Sequence, residues 1–511
     1  MAYNYRSSVE SVGKDLDPDI VYYNADIVAD AFSPASLGLD KDPVIRFQET
    51  RSIPLLNDIS KYMFSIIRFT MDGAGKDLPI FIPSINDTQP DINLTDYSVS
   101  MVYTVYYKNP VSGANEEKTF TAQRFIYYQP ETVNAPIPQP PNTVLKDGTY
   151  VGQDLRGRYY WVYTYDHWTN LCNKALADLF YDPPPTTLTH AEWDAHQVAS
   201  QPNPRLRKPF PTYVPPTLSI REQWKAYWLS IGGTADNLMA LQGTPPFLRY
   251  NQDTGLFSMF GDSYCFGDNL TGVPVSTPPK ATDFTAWSWN NGTPVYGVGS
   301  ATVPTQGTEV AQLYFNTNMF GLFANFNNLY YGDELPSGLT NKIMFQPTGS
   351  NLEVLSSTSA WSATVGGRAS VEALPSPYIK ITQNYNSTST LWSPISAIVF
   401  SSTMIPIFPE QTGTPLSYGE GNTNAPQEST SAFAPIITDI SIPMERADDY
   451  RGFLSYTPTG EYRLSSFTGS RTELRNIDIQ VFWKNRINNQ LYPITMFNLT
   501  SVSIKMMFRK K

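Results

Sequence analysis

Strict alternation of apolar and polar positions marks the last forty residues of the chain. In Asn476-Ile477-Asp478-Ile479-Gln480-Val481-Phe482-Trp483, the side chains of Ile477, Ile479, Val481 and Trp483 fall on one face. Asn476, Asp478 and Gln480 fall on the other, with Phe482 the exception. Residues 501–511 repeat the pattern through Val502, Ile504, Met506 and Phe508. A period of two is that of a strand with one buried face. The polar stretch 485–490 reads as a turn, so the two segments are expected to form a hairpin.

The same signature recurs along the chain. Segments 44–47, 61–69, 97–107 and 119–128 read as strands, the last two facing each other across a turn at 109–117. Segments 247–266, 378–382, 395–400, 434–444, 453–456 and 461–467 read likewise, with weaker alternation over 341–367. Residues 78–83 suit an edge strand or a loop, because Pro79 and Pro83 cannot donate to a ladder. Helical spacing appears at 167–180, which Pro183-Pro184-Pro185 stops, and more briefly at 189–199, while 219–231 reads as a second helix or as a helix start that collapses into a strand. Residues 313–331 read as a strand and then a short helix. Pro136, Pro138, Pro140 and Pro141 mark a linker, and the Gly/Asn/Gln-rich stretch 412–431 reads as a mobile loop. No repeat at a fixed period is present. Many short strands joined by loops of very unequal length predict a β-sandwich or jelly roll carrying insertions.

Composition agrees. The 511 residues include 42 Pro, 32 Tyr, 27 Phe and 10 Trp, the mixture of strand formers and turn residues that such a fold uses. Only 16% are charged, which suits a surface that tiles against neighbours, since interface cores are poor in charge and rich in aromatics. A net charge of −10 does not suit a protein that works by neutralising phosphates along its whole length. Met1-Ala2-Tyr3-Asn4-Tyr5-Arg6 has no apolar core, so no secretory signal is expected there, and no run of 18 apolar residues predicts a membrane span.

No catalytic, cofactor or metal constellation emerges. Cys172 and Cys265 are the only cysteines and read as buried thiols. His190, Glu192, Asp194 and His196 resemble a metal set in composition alone. On a helix the pairs His190/Asp194 and Glu192/His196 sit about 200° apart, and on a strand the four span roughly 20 Å. Asp72-Gly73-Ala74-Gly75-Lys76-Asp77 lacks the spacing and hydroxyl of a phosphate loop and reads as a turn. Asp15, Asp17 and Asp19 lack the glycine and closing glutamate of a calcium loop. Lys505, Arg509, Lys510 and Lys511 make a small basic end on an acidic chain. They read as a charged strand edge that blocks edge pairing, or as a weak, salt-sensitive contact to nucleic acid or to a neighbouring protein.

The tail resembles the C-terminal region of jelly-roll minor capsid proteins, penton-like ones among them, of polinton-like viruses, virophages and related eukaryotic DNA viruses. The resemblance is carried by Gly460-Glu461-Tyr462-Arg463-Leu464, by the alternating segment 476–483, by Leu491-Tyr492-Pro493 and by residues 503–509, with a similar style over 44–85. It implies a mainly β fold: a jelly-roll β-sandwich formed by N- and C-terminal strands, with a large mixed insertion domain. The expected division is an extended arm at 1–43, jelly-roll strands at 44–130 and 432–511, and an insertion with Pro-rich loops and short helices at 131–431. It further implies a structural, non-enzymatic subunit of an icosahedral virion, assembled in the host cell. Its expected partners are copies of itself in a pentamer, neighbouring capsid proteins, and a fibre or spike protein. The Arg-Gly-Asp loop of adenovirus penton bases is absent. Two other readings stay open: a major capsid protein with two tandem jelly rolls, and a carbohydrate-binding or carbohydrate-processing β protein whose aromatics stack on sugars.

Overall fold

In a computed structural model, the chain forms two compact units: Met1–Ile80 with Ser393–Lys511, and Phe81–Trp392. The structure describes residues 18–28, 44–72, 78–85, 93–131, 158–180, 218–239, 241, 245–262, 288–290, 293–295, 308–323, 325–326, 328–330, 341–345, 352–355, 363–365, 368–370, 378–385, 392–408, 436–441, 453–457, 463–468, 472–486, 491–494, 496 and 501–511. The candidate segments at 132–142, 189–199 and 412–431, Cys265, and the glycines of the 72–77 turn lie outside these residues.

In chain order the strands are β1 (Ile20–Val28), β2 (Arg46–Thr50) and β3 (Tyr62–Asp72) in the first unit. The second unit holds β4 (Leu94–Lys108), β5 (Asn115–Tyr127), β6 (Phe247–Asn251), β7 (Leu256–Asp262), β8 (Ser288–Asn290), β9 (Thr293–Val295), β10 (Thr308–Asn316), β11 (Asn328–Tyr330), β12 (Asn341–Phe345), β13 (Leu352–Leu355), β14 (Ala363–Val365), β15 (Arg368–Ser370) and β16 (Tyr378–Thr382). The chain then returns to the first unit as β17 (Ile395–Ser401), β18 (Ile436–Ile440), β19 (Phe453–Tyr456), β20 (Ser465–Ser466), β21 (Asn476–Asn485), β22 (Leu491–Pro493) and β23 (Ser501–Lys510).

The first unit is a jelly roll. One sheet has the order β1-β23-β3-β19 with β20 beside β3. The other has the order β18-β17-β21-β2 with β22 beside β21. Strands near in sequence mostly alternate between the sheets, which is how eight strands wind into a double Greek key. The alternating residues fill the space between: Val502, Ile504, Met506 and Phe508 from β23, and Ile477, Ile479, Val481 and Trp483 from β21, are all buried. Across the sheets Phe69 meets Phe400 edge-on at 5.2 Å between ring centroids, and Tyr23 meets Phe47 at 6.0 Å.

Two expectations fail here for one reason. The 476–483 and 501–511 segments are both strands, but not a hairpin: β21 and β23 lie in opposite sheets. The hairpin partner of β21 is β22, where Tyr492 stacks on Trp483 at 4.5 Å. Nor is β23 an edge, since β1 pairs along one side and β3 along the other. Alternation reports that one face is buried, and both sheets bury a face in the same core, so the pattern does not name the partner.

The unit boundaries also fall away from the expected ones. Residues 20–28, expected within an extended arm carrying at most one strand around Ile20–Tyr23, form β1, which is a member of the first sheet and pairs with nine consecutive residues of β23. The strongly alternating β4 and β5 belong to the second unit, in the sheet β11-β12-β10-β4-β5, and β17 belongs to the first. Residues 78–83 form no strand, only a bridge from Phe81 to Val162.

The second unit combines that sheet with β13-β16-β7-β6. Its helix Tyr165–Phe180 presents Tyr165, Trp168, Cys172, Leu176 and Leu179 at helical spacing and packs on β4, β5 and β6. Trp168 lies 4.8 Å from Phe81 and 5.3 Å from Tyr97. The helix Ile220–Ser230 starts at Ser219, whose hydroxyl accepts from the Glu222 amide at 3.3 Å, and lays Trp224 against Tyr107 at 5.3 Å. The β4–β5 turn uses Gly113 at φ +68°, while Asn109 Oδ1 accepts from the Val111 and Ser112 amides.

Candidate assembly surface

The outward face of the first sheet collects the basic residues singled out above. Residues 20, 22, 24, 26 and 28 of β1 point outward, and so do 503, 505 and 509 of β23. Their neighbours on β3 make cross-strand rows: Ile20, Arg509 and Met63, then Asn24, Lys505 and Arg68, then Asp26, Ser503 and Thr70. Lys505 and Arg68 are therefore side-by-side cations, an unfavourable pairing by itself. Lys505 Nζ lies 4.8 Å from the Tyr22 ring centroid, an attractive cation–π geometry. Arg68 Nη2 reaches Ser503 Oγ at 3.4 Å, and its buried Nε has no partner. Among the described residues neither cation, nor Arg509, makes an ion pair. Lys510 has the opposite parity, and its amide donates to the Asp19 carbonyl at 2.8 Å. Lys511 closes the strand at the Lys61 carbonyl, 2.8 Å away.

Thus Lys505 and Arg509 share a face, whereas Lys510 and Lys511 sit at its rim. Arg68 and Tyr22 complete the group and were missed in the sequence. Arg68 hides inside an apolar run, and only the β3–β23 register places it beside Lys505. The opposite end of the face carries the exposed Asp26 and Asp72.

The edge strand β1 is held down from beneath. The Tyr23 hydroxyl donates to Glu49 Oε2 on β2, and the Arg51 guanidinium lies 5.8 Å from the Tyr23 ring. Burial and the neighbouring Glu49 carboxylate push the Tyr23 phenol up to about 12.

On the other sheet, Asp478 looks like a polar outward residue in sequence but is fully buried. Its carboxylate accepts from Ser402 Oγ, from the Thr403 amide at 2.9 Å and hydroxyl at 2.8 Å, and from the Met404 amide at 2.8 Å. Burial pushes this carboxyl up, but the hydrogen bonds from Ser402, Thr403 and Met404 outweigh it and hold it below the usual carboxylate range. It fixes the loop that leaves β17. Asp478→Asn offers N–H groups to donors that already point inward, and is expected to cost about 2–3 kcal/mol at neutral pH. A carboxyl lowered in the folded state stabilises above its unfolded value, about 3.9, and that contribution fades as pH falls through the folded value. Urea unfolding midpoints of the two proteins should therefore differ at pH 7 and converge below about pH 4. A constant gap across that range would count against the carboxylate's role.

Among the described residues, no group of three or more His, Cys, Asp or Glu is placed to hold a metal ion. The His190 to His196 set lies outside the described residues. Cys172 is buried, which pushes its thiol up and makes it unreactive. His167 Nε2 sits 2.7 Å from the Gln129 carbonyl oxygen, and burial pulls its imidazole below the ordinary value. The Glu131 carboxylate accepts from the Tyr163 and Thr164 amides and the Thr164 hydroxyl, so it serves the turn before the helix. The six tryptophans whose side chains the structure describes, Trp161, Trp168, Trp224, Trp228, Trp392 and Trp483, are all buried, which removes them as platforms for sugar rings. No described helix is long and apolar enough to cross a membrane.

Comparison with known proteins agrees with this architecture. The chain matches the family described as Sputnik minor capsid protein V18/19 over residues 21–510. No curated protein matches it. Among solved structures, it is similar to a chain of the Sputnik virophage determined by cryo-EM at 3.5 Å. The identity is 19% with a TM-score of 0.56, over 97% of this chain and 99% of that one. A crystal structure of the mavirus penton protein aligns at 12% identity and a TM-score of 0.45, over 97% of this chain and 100% of that one. The first likeness supports the fold, and the family match spans both units. The chain belongs to the Sputnik minor capsid protein V18/19 family, and is a structural capsid protein of a virion that works by packing against copies of itself and other capsid proteins.

Proposed function

We propose that the protein is a penton-like subunit that closes into a five-fold ring at a capsid vertex and has no catalytic role. The observation that carries this reading is a single jelly roll, built from both ends of the chain, with the second unit inserted between β3 and β17. A ring needs one heterologous interface that closes after five steps, and a single jelly roll per subunit suits that. The tandem jelly-roll alternative is disfavoured by the second unit's sheet order. There β4 and β5, β6 and β7, and β10, β11 and β12 are runs of consecutive strands that stay in one sheet, whereas most successive strands of the first unit change sheet. The other partners in this reading are neighbouring capsid proteins and a fibre or spike protein. Lys505, Arg509 and Arg68, with Lys510 and Lys511 at the rim, supply a weak contact to nucleic acid or to an acidic neighbour.

Mass photometry and negative-stain microscopy of the purified chain test this. Five-membered rings are expected. Trimers would favour a major-capsid role, and a persistent monomer would overturn the vertex reading. In the same preparations, DNA retention should fall steeply with salt and be lost in Lys505→Glu/Arg509→Glu. Retention unchanged by that pair would remove the nucleic-acid contact.

A further inference from the structure

We propose that the free edge of β1 is a docking site for β1 of a second copy of this chain, the two strands pairing antiparallel about Asn24. The backbone parity defines the edge. The Lys510 amide donates to the Asp19 carbonyl, so odd-numbered residues of β1 bond to β23. The amides and carbonyls of Ile20, Tyr22, Asn24, Asp26 and Val28 then point away from the sheet, and among the described residues no strand pairs there. Nine residues run without a register shift, and no proline or bulge interrupts them. Edges of this kind are normally blunted by such devices. Ile20, Tyr22 and Val28 are 42%, 53% and 71% exposed.

The occupant follows from the sequence of the edge itself. Pairing about Asn24 sets Ile20 opposite Val28 of the partner copy, Tyr22 opposite its Asp26, and Asn24 opposite its Asn24. The outer pairs join exposed apolar side chains. The intermediate pairs bring a carboxylate beside a phenol whose ring already carries Lys505 Nζ at 4.8 Å. Cation and carboxylate thus meet twice, once on each side of the two-fold axis. An isologous contact requires a patch complementary to itself, and this one is, in the one parity that the free amides allow.

This inference is independent of the five-fold reading, because a ring interface is heterologous and this one is isologous. The test uses the full chain with Cys265→Ser. The central pair places two copies' Cα atoms about 5.5 Å apart, within the span of a disulfide. Asn24→Cys is therefore expected to give covalent dimers on mild oxidation, and Ser501→Cys, exposed on the neighbouring strand, to give few. Asn24→Pro removes only an amide that faces the free edge, a position where proline is tolerated. It should keep the wild-type thermal transition and lower the dimer fraction about tenfold. Equal cross-linking at both cysteines, no cross-linking at either, or undiminished dimers of Asn24→Pro would overturn the proposal. Rings without Asn24→Cys dimers would leave the five-fold reading and remove this one, and dimers without rings would do the reverse.

Discussion

Deleting residues 502–511 is expected to abolish folding of the first unit. The segment is the strand between β1 and β3, and its loss leaves both without a partner on that side. It also removes Val502, Ile504, Met506, Met507 and Phe508, each no more than 4% exposed. At roughly 2 kcal/mol per buried side chain, about 10 kcal/mol of apolar burial disappears, comparable to the whole stability of a domain. Limited proteolysis should then cut readily within β1 and β3, which the intact protein protects. A truncated protein that keeps the wild-type thermal transition and proteolytic pattern would show that the tail is an accessory and not a structural member.

The second large effect is expected at Trp392 in the other unit. Its ring is 2% exposed and lies 5.2 Å from each of Phe81, Tyr165 and Phe257, and 5.6 Å from Phe323. Its Nε1–H donates to the Leu322 carbonyl at 2.9 Å. Trp392→Ala leaves a cavity among four rings and should cost about 3–5 kcal/mol. The Leu322 carbonyl also loses its donor. Trp392→Phe keeps most of the ring contact and loses the hydrogen bond, at about 1–2 kcal/mol. Urea unfolding should rank wild type above Phe above Ala. Indistinguishable Phe and Ala variants would mean that the packed ring contributes little.

Trp392 also shows where the sequence stops being informative. It stands alone between Leu391 and Ser393, with no periodic pattern to mark it as core. Its four ring contacts come from segments up to 311 residues apart in the chain. The strands read at 61–69, 97–107, 378–382 and 395–400 were legible because each carries its own local apolar pattern over five or more residues. The helix Ile220–Ser230 was only half legible, since 219–231 also suited a helix start that gives way to a strand; the Ser219 cap and the burial of Trp224 and Trp228 decide for the helix. Pairing was not legible. Nothing local distinguishes β4, which joins the second unit, from β3, which joins the first, since both are alternating and aromatic. The outward cations were half visible. Lys505 and Arg509 announce themselves on a polar face, whereas Arg68 and Tyr22 are brought to them only by register. Asp478 was read as a solvent-facing residue of its strand, because its partners at 402–404 are more than seventy residues away.

Hydrogen exchange of the intact protein, followed by mass spectrometry, tests most directly whether the two ends of the chain complete one sandwich. The account predicts that amides of residues 20–28 and 501–510 bonded within the sheet are protected together with those of 62–72, and open in one cooperative step. Fast exchange across 20–28, beside a protected 62–72 and 501–510, would contradict it.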